Sequence, residues 1–281
     1  MKSAEVETTT NSTTNRASSR LFTKFDCNTC TLFHVGTGIE LNKSNVLVLV
    51  PAFNEQASVG SVIRNLRNHQ FNVLLISDGS TDATASIAWA SGSKVLELPI
   101  NLGVGGALRA GFKYAHRNGF QAVVQVDADG QHPVAEIENL IQAANNSDAH
   151  MVIGSRFKDD AGKMEVSGFR RIVMKVLSRT ASAAANEKIS DSTSGFRVIR
   201  QPLLAEFSRQ FANNYLGDTY EAVIAAGRAG YRVQEIPAGL LPRENGESTA
   251  TTGAAIRFTL KALGVALLGI YKKLTPLNAQ R

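Results

Sequence analysis

Short apolar runs alternate with longer amphipathic stretches from Val46 to Ile153. Val46-Leu-Val-Leu-Val50 is a continuous apolar run stopped by Pro51, the pattern of a strand buried on both faces. Val73–Ile76, Lys94–Leu98, Ala122–Val126 and Met151–Ile153 read as further strands, with helical patterns over 56–68, 81–90, 104–117 and 134–144 between them. Strand–helix–strand units of this length imply right-handed parallel crossovers and a mostly parallel, helix-covered sheet, hence an α/β fold. Beyond residue 155 the alternation loosens. Residues 169–185 and 217–229 read as helices, Phe196–Ile199 as an edge strand and Tyr231–Ile236 as a strand. A Gly- and Thr-rich loop over 237–253 leads to a last helix, 254–273, strongly apolar from Ala262 to Tyr271.

That helix changes the picture of partners. Its ten uncharged positions, 262–271, fall short of the roughly 20 residues needed to cross a bilayer. Arg257, Lys261, Lys272 and Lys273 flank the apolar stretch, as in a helix lying on a membrane surface; packing on the domain or on a partner is the other arrangement.

The 281 residues are 43% hydrophobic and 19% charged, enough for one sizeable core. We divide them into a disordered, low-complexity arm (1–40), an α/β domain (41–250) and a carboxyl-terminal apolar and basic helix with its tail (251–281). The arm is rich in Thr, Ser and Asn without apolar periodicity, which cannot supply a core. Cys27 and Cys30, with His34 nearby, lack the second ligand pair that a structural zinc site takes, so they read as two thiols in the arm. Two cysteines build no disulfide framework, and no secretory h-region follows the amino terminus, so a cytoplasmic, reducing setting is expected. The net charge of +6 permits an anionic partner without choosing among nucleic acid, membrane and phosphorylated substrate.

Candidate chemistry gathers where such a sheet binds ligands, beyond the carboxyl ends of strands at the point where strand order reverses. With the order 3-2-1-4, the reversal falls between strands one and four. The segments leaving these strands are Pro51-Ala-Phe-Asn-Glu55 and Asp127-Ala-Asp-Gly-Gln-His132, and strand two exits into Ser77-Asp-Gly-Ser-Thr-Asp82. Asp127 and Asp129, two apart, can face one way. With Gln131 they make a hard-oxygen set suited to Mg²⁺ or Mn²⁺; the competing reading is a solvated turn built on Gly130. Asn101-Leu-Gly-Val-Gly-Gly106 opens a helix and reads either as a phosphate-facing turn or as tight helix–sheet packing. His116 and His150 read as surface or packing residues, whereas His132 adjoins the acidic motif.

Taken in order, these segments together with Gly103-Val-Gly-Gly-Ala107, Gly154-Ser-Arg156, Asp191-Ser-Thr-Ser-Gly-Phe-Arg197 and Arg243-Glu-Asn-Gly-Glu-Ser248 resemble the family-2 glycosyltransferases. Within these they resemble the polyprenol-phosphate sugar transferases, such as dolichol-phosphate mannosyltransferase. The resemblance implies a GT-A fold and an inverting, metal-dependent transfer from a GDP- or UDP-linked sugar, with no nucleic-acid partner. It implies that Pro51, Ala52, Phe53, Glu55 and Asp78 hold the nucleoside, joined on the donor side by Ala128. Asp127, Asp129 and Gln131 would hold the metal on the donor diphosphate. Arg156 and Arg170 would hold an acceptor phosphate, most simply that of a polyprenyl lipid. Asp191 and Arg197 would lie by the reacting sugar, making Asp129, Asp191 and Arg197 the catalytic set. The sequence departs from the family pattern at Ser77, where Asp is usual, at Met174, where some relatives carry Ser, and at Thr249, where Lys is frequent.

Three other chemistries fit parts of this pattern. A hydroxyl acceptor would need a general base, for which Asp191 is the candidate. A non-catalytic nucleotide-sugar-binding subunit would keep the donor residues alone. Nucleotidyl transfer onto a sugar phosphate would release pyrophosphate instead of a nucleoside diphosphate.

Overall fold

The computed structural model describes residues 39–156, 168–211, 218–239, 241, 264 and 273–277. The Cys27–Cys30 pair, the Arg243–Ser248 segment and all of the 254–273 helix except Gly264, which is helical, and Lys273, which is not, lie outside the described residues. Seven strands form one sheet: β1 (Val46–Ala52), β2 (Asn72–Asp78), β3 (Lys94–Leu98), β4 (Ala122–Gln125), β5 (Met151–Ser155), β6 (Arg197–Arg200) and β7 (Val233–Pro237). Their order is β3-β2-β1-β4-β6-β5-β7. The first four are mutually parallel, and the reversal falls between β1 and β4 as expected.

Helices α1 (Val59–Asn68), α2 (Thr84–Ala90), α3 (Val104–Arg117), α4 (Val134–Asn146), α5 (Gly168–Ala185), α6 (Leu203–Gln210) and α7 (Asp218–Arg228) cover it. The apolar run of β1 divides by alternation between two cores. Leu47 and Leu49 join one with Leu108, Phe112, Phe207 and Val223 of α3, α6 and α7. Val46, Val48 and Val50 join the other with Ile63, Leu66, Ile137 and Leu140 of α1 and α4. An unbroken apolar strand is what such two-sided burial requires.

The sheet corrects the placement of β6. It is an interior strand, antiparallel to β4 and to β5, and not an edge. Its terminal arginines, Arg197 and Arg200, are both buried. Arg200 donates to the carbonyls of Ala144 and Ile39 at 2.9 and 3.0 Å, and Arg197 is likewise bonded to main-chain oxygens. A buried charge is tolerated when its donors are filled this way. Helix α6 went unpredicted, although Leu203, Leu204, Phe207 and Phe211 mark its apolar face. Phe112, Phe207 and Phe211 pack as a ring trio with centroids 4.9–5.8 Å apart.

Residues 273–277 dock on the core. Glu206 of α6, fully buried, accepts the Thr275 N–H at 2.8 Å and an Arg209 bond at 2.6 Å. The Leu277 N–H reaches the Ala229 carbonyl at 2.9 Å, and the Tyr231 hydroxyl donates to the Thr275 carbonyl at 3.3 Å. Burial alone would raise the Glu206 carboxyl, but bonds from Thr275, Arg209 and Gln210 hold it at about 2, against an ordinary 4.5. A depressed folded-state value stabilises the protein above the unfolded value and loses that contribution as pH falls through the folded one. Acid titration of the unfolding free energy should therefore show a loss between about pH 4.5 and 2 that is absent in Glu206→Gln. At neutral pH that variant should be about 2–3 kcal/mol less stable.

Candidate active site

The loops leaving β1 and β2 are laced together. Asn54, at φ 55°, accepts the Thr81 N–H on Oδ1 at 2.9 Å and donates its own N–H to Ser80 Oγ at 3.2 Å. The Glu55 N–H donates to Thr84 Oγ1 at 2.8 Å and the Gln56 N–H to Asp82 Oδ2 at 3.2 Å. These bonds take residues 56–58 and 81–83 out of the helices predicted for them. Burial works to raise the Asp82 carboxyl, but hydrogen bonds from Thr84 and Gln56 bring it below its usual value. Pro51 and Ala52 close β1, and Phe53 beyond them leaves an exposed ring. Asp78 is buried and accepts the Leu102 N–H on Oδ1 at 2.8 Å, while the Gly103 N–H is held by Asn101 Oδ1 at 2.9 Å. Two N–H groups of this glycine-rich turn thus bond within the fold. Ser77 is buried in β2.

The acidic motif leaves β4 as a tight loop. Gly130 takes φ 80°, and buried Asp129 accepts the Gln131 N–H on Oδ1 at 3.1 Å. The Asp127 side chain is 44% exposed, whereas the His132 ring is only 6% exposed and stacks on Phe196 with centroids 4.5 Å apart. Nδ1 of His132 accepts the Asp127 N–H at 3.1 Å, and its Nε2 stands 3.8 Å from Asp127 Oδ2. A cavity of about 190 Å³ opens between this loop and α1, bordered by Ser61, Asn65, Asp127, Gly130, His132 and Leu241. Gln131 and Leu241 pair in both directions: the Leu241 N–H to the Gln131 carbonyl at 2.9 Å, and the Gln131 amide to the Leu241 carbonyl at 3.5 Å.

Because β6 runs against its neighbours, its amino end lies at the carboxyl end of β4, with Arg197 opposite Gln125. The segment Asp191–Gly195 therefore enters the sheet beside the acidic loop. A Cβ on Gly195 would stand 3.0 Å from Gln125 Nε2 and 3.3 Å from Asp127 Oδ1, so the glycine makes room for the carboxylate. Among the described residues no group of three or more His, Cys, Asp and Glu side chains gathers as a metal cage. Two carboxylates on one loop suit a hard cation that takes its other ligands from water and phosphate.

Asp191 is fully buried and grips Arg156: Nε to Oδ2 at 2.7 Å and Nη2 to Oδ1 at 2.9 Å. The Thr193 hydroxyl adds a bond to Oδ1 at 3.1 Å and the Arg156 N–H one to Oδ2 at 3.3 Å. These side-chain bonds raise the guanidinium above its ordinary value against the pull of burial, and the charges of Asp191 and Asp127 add to the rise. Arg197 lies 2% exposed, with its guanidinium on the Ser194 and Thr219 carbonyls. Arg170 and Arg171 belong to the first turn of α5, and their side chains are outside the description. His150 is a packing residue, buried with Nδ1 accepting the Arg232 N–H at 3.1 Å. Sequence reasoning missed Glu235, whose carboxylate binds the 190–191 turn; the two-residue period of Tyr231, Val233 and Glu235 marks it as inward-facing.

The model of the family described as "Glycosyl transferase family 2" matches residues 47–207, more than half of the chain. The protein belongs to this family. It is a glycosyltransferase and resembles the enzymes that act on polyprenyl phosphates. The UDP-N-acetylglucosamine–dolichyl-phosphate N-acetylglucosaminyltransferase of Methanococcus voltae is 29% identical over 68% of this chain and 84% of its own. The undecaprenyl-phosphate mannosyltransferase of Micrococcus luteus is 27% identical over 74% and 88%. Glucosyl-3-phosphoglycerate synthase from Mycobacterium tuberculosis, solved with Mn²⁺, UDP-glucose and phosphoglyceric acid, superposes with a TM-score of 0.60. It is 21% identical, over 84% of this chain and 91% of that one, and shares the GT-A fold. No helix among the described residues is long and apolar enough to cross a membrane.

Gly79 of the glycosyltransferase tests how tightly the site is built. It sits at φ +69°, and a Cβ there would stand 2.6 Å from the Asn101 nitrogen and 2.7 Å from the Ile100 carbonyl carbon. Gly79→Ala should lower unfolding free energy by about 2–4 kcal/mol in urea denaturation, because strain and backbone overlap combine.

Proposed function

We propose that this glycosyltransferase is metal-dependent and inverting, and that it moves a sugar from a nucleoside-diphosphate donor to a polyprenyl phosphate. One juxtaposition carries the reading: Asp127 and Asp129 leave β4 beside the Asp191-held guanidinium of Arg156, whose basicity the charge of Asp127 helps to raise. Carboxylates for a cation and a fixed cation for an anion thus stand at one sheet edge. The printed activities of the Methanococcus voltae and Micrococcus luteus relatives support the acceptor class.

In this reading Pro51, Ala52, Phe53, Glu55, Asp78 and Ala128 hold the nucleoside, and the exposed Phe53 ring offers the base a flat apolar face. Asp127, Asp129 and Gln131 hold Mg²⁺ or Mn²⁺, which when bound supplies Lewis-acid neutralisation of the departing nucleoside diphosphate. An acceptor phosphate is already ionised at neutral pH, so it needs orientation more than proton removal. Arg156, with Arg170 on α5, provides it through planar guanidinium donors. A phosphate oxygen attacks the anomeric carbon from the face opposite the leaving group. One carbon–oxygen bond forms, the bond to the diphosphate breaks, and the configuration inverts.

The hydroxyl-acceptor alternative is less well supported, because both Asp191 oxygens already accept hydrogen bonds from Arg156 and Thr193 and the side chain is fully buried. Arg197 acts in this reading from beneath the site, fixing the Ser194 carbonyl, in place of the contact with the sugar expected from sequence.

Incubation with GDP-mannose, UDP-glucose or UDP-N-acetylglucosamine, polyprenyl phosphate and Mn²⁺ should yield a nucleoside diphosphate and a glycosyl-phosphate lipid, without pyrophosphate. Chelation should abolish the reaction, and Asp129→Ala should slow it by about 100-fold or more. Wild-type protein that binds a donor yet never turns it over would instead be a binding subunit. Gly195→Ala should keep its melting temperature within a few degrees while needing several-fold more Mn²⁺ for half-maximal rate, since the added methyl displaces Asp127.

A further inference from the structure

Strand β7 is an edge strand, yet its inward position Glu235 is 2% exposed. Tyr231 and Val233 occupy the same phase with apolar bulk, so a filler at Glu235 would be aliphatic. A buried carboxylate needs strong hydrogen bonds to persist there. Three come from one turn. Oε2 accepts the Ser190 N–H at 2.6 Å, and Oε1 accepts the Ser190 hydroxyl and the Asp191 N–H, each at 2.8 Å.

Both residues of that turn lead back to Arg156. Asp191 grips the guanidinium directly. The Ser190 hydroxyl has one proton, and with that proton on Glu235 its oxygen accepts from Ser155 Oγ, 3.1 Å away. Ser155 is the last residue of β5 and the chain neighbour of Arg156. Glu235 therefore fixes the arginine through its ion-pair partner and through the strand end that carries it.

We infer that Glu235 is a positioning residue for glycosyl transfer, holding Asp191 so that Arg156 keeps its place beside Asp127. The inference rests on the proposed reaction for its catalytic consequence, while the structural relay stands independently of it. Glu235→Gln preserves volume but offers one acceptor oxygen to three donors and turns an NH₂ group toward the rest.

The test uses the full-length protein and two readouts. In ¹⁵N-resolved NMR spectra the Arg156 Nε–H, assigned by its disappearance in Arg156→Lys, should be sharp and slow to exchange in the wild type. In Glu235→Gln it should shift and enter fast exchange. Transfer to polyprenyl phosphate should fall at least about tenfold in kcat, with KM for the nucleotide sugar within about twofold and the melting temperature within a few degrees. An unchanged Arg156 signal overturns the relay whatever the turnover. A lost signal with wild-type kcat, or a kcat loss matched by collapse of the melting temperature and of both KM values, overturns the positioning role. A wild type that transfers no sugar overturns the proposed reaction, and the NMR arm still decides the relay.

Discussion

In a sheet of parallel strands, only carboxyl ends reach the ligand-binding edge, and each chain segment must cross the whole sheet before it can contribute again. The reversed strand β6 lifts that constraint. Inserted between β4 and β5, it starts at the edge where they stop, so the turn before it joins their exit loops. The pairing of Gln125 with Arg197 and of Ile153 with Arg197 sets the register. From that register follow the place of Gly195 against Asp127, of Phe196 under the His132 ring, and of Asp191 against Arg156. Shifting β6 by one residue would turn Arg197 toward the opposite core and undo all three contacts.

The burial of Arg197 and Arg200 belongs to the same arrangement. Each side chain donates to main-chain carbonyls around the sheet: Arg197 to Thr219 in the first turn of α7, and Arg200 to Ala144 in the last turn of α4 and to Ile39. The charges act as bolts, and removing a carbonyl partner would leave a desolvated cation. The loops after β1 and β2 need no such device. They are joined by neutral Asn, Ser, Thr and Gln bonds with the carboxylate of Asp82.

The parts of this fold governed by local pattern were legible in the sequence. Val46–Val50 could only be a two-sided strand, and the acidic loop after Ala122–Val126 follows from strand order. Helix α6 was equally open to reading, since Leu203, Leu204, Phe207 and Phe211 share one face. What pattern could not supply was long-range pairing. Phe196–Ile199 reads as an edge strand, and nothing local reveals that carbonyls of residues 39, 144 and 219 receive the guanidinium groups of Arg197 and Arg200. The Arg156–Asp191 grip spans 35 positions, so sequence alone named both residues without joining them. Glu235 was visible as a carboxylate in an inward phase but had no known partner to give it meaning.

The docking of residues 273–277 on Glu206, Ala229 and Tyr231 has a topological consequence. Leu241 is pinned to the acidic loop through Gln131, and the chain is pinned again after residue 272. Leu241 and residues 273–277, far apart in sequence, are thus both bonded to the same folded domain. A backbone cut between these two anchors would turn the docking of residues 273–277 from an intramolecular contact into a bimolecular one, which loses the effective concentration that covalent continuity supplies.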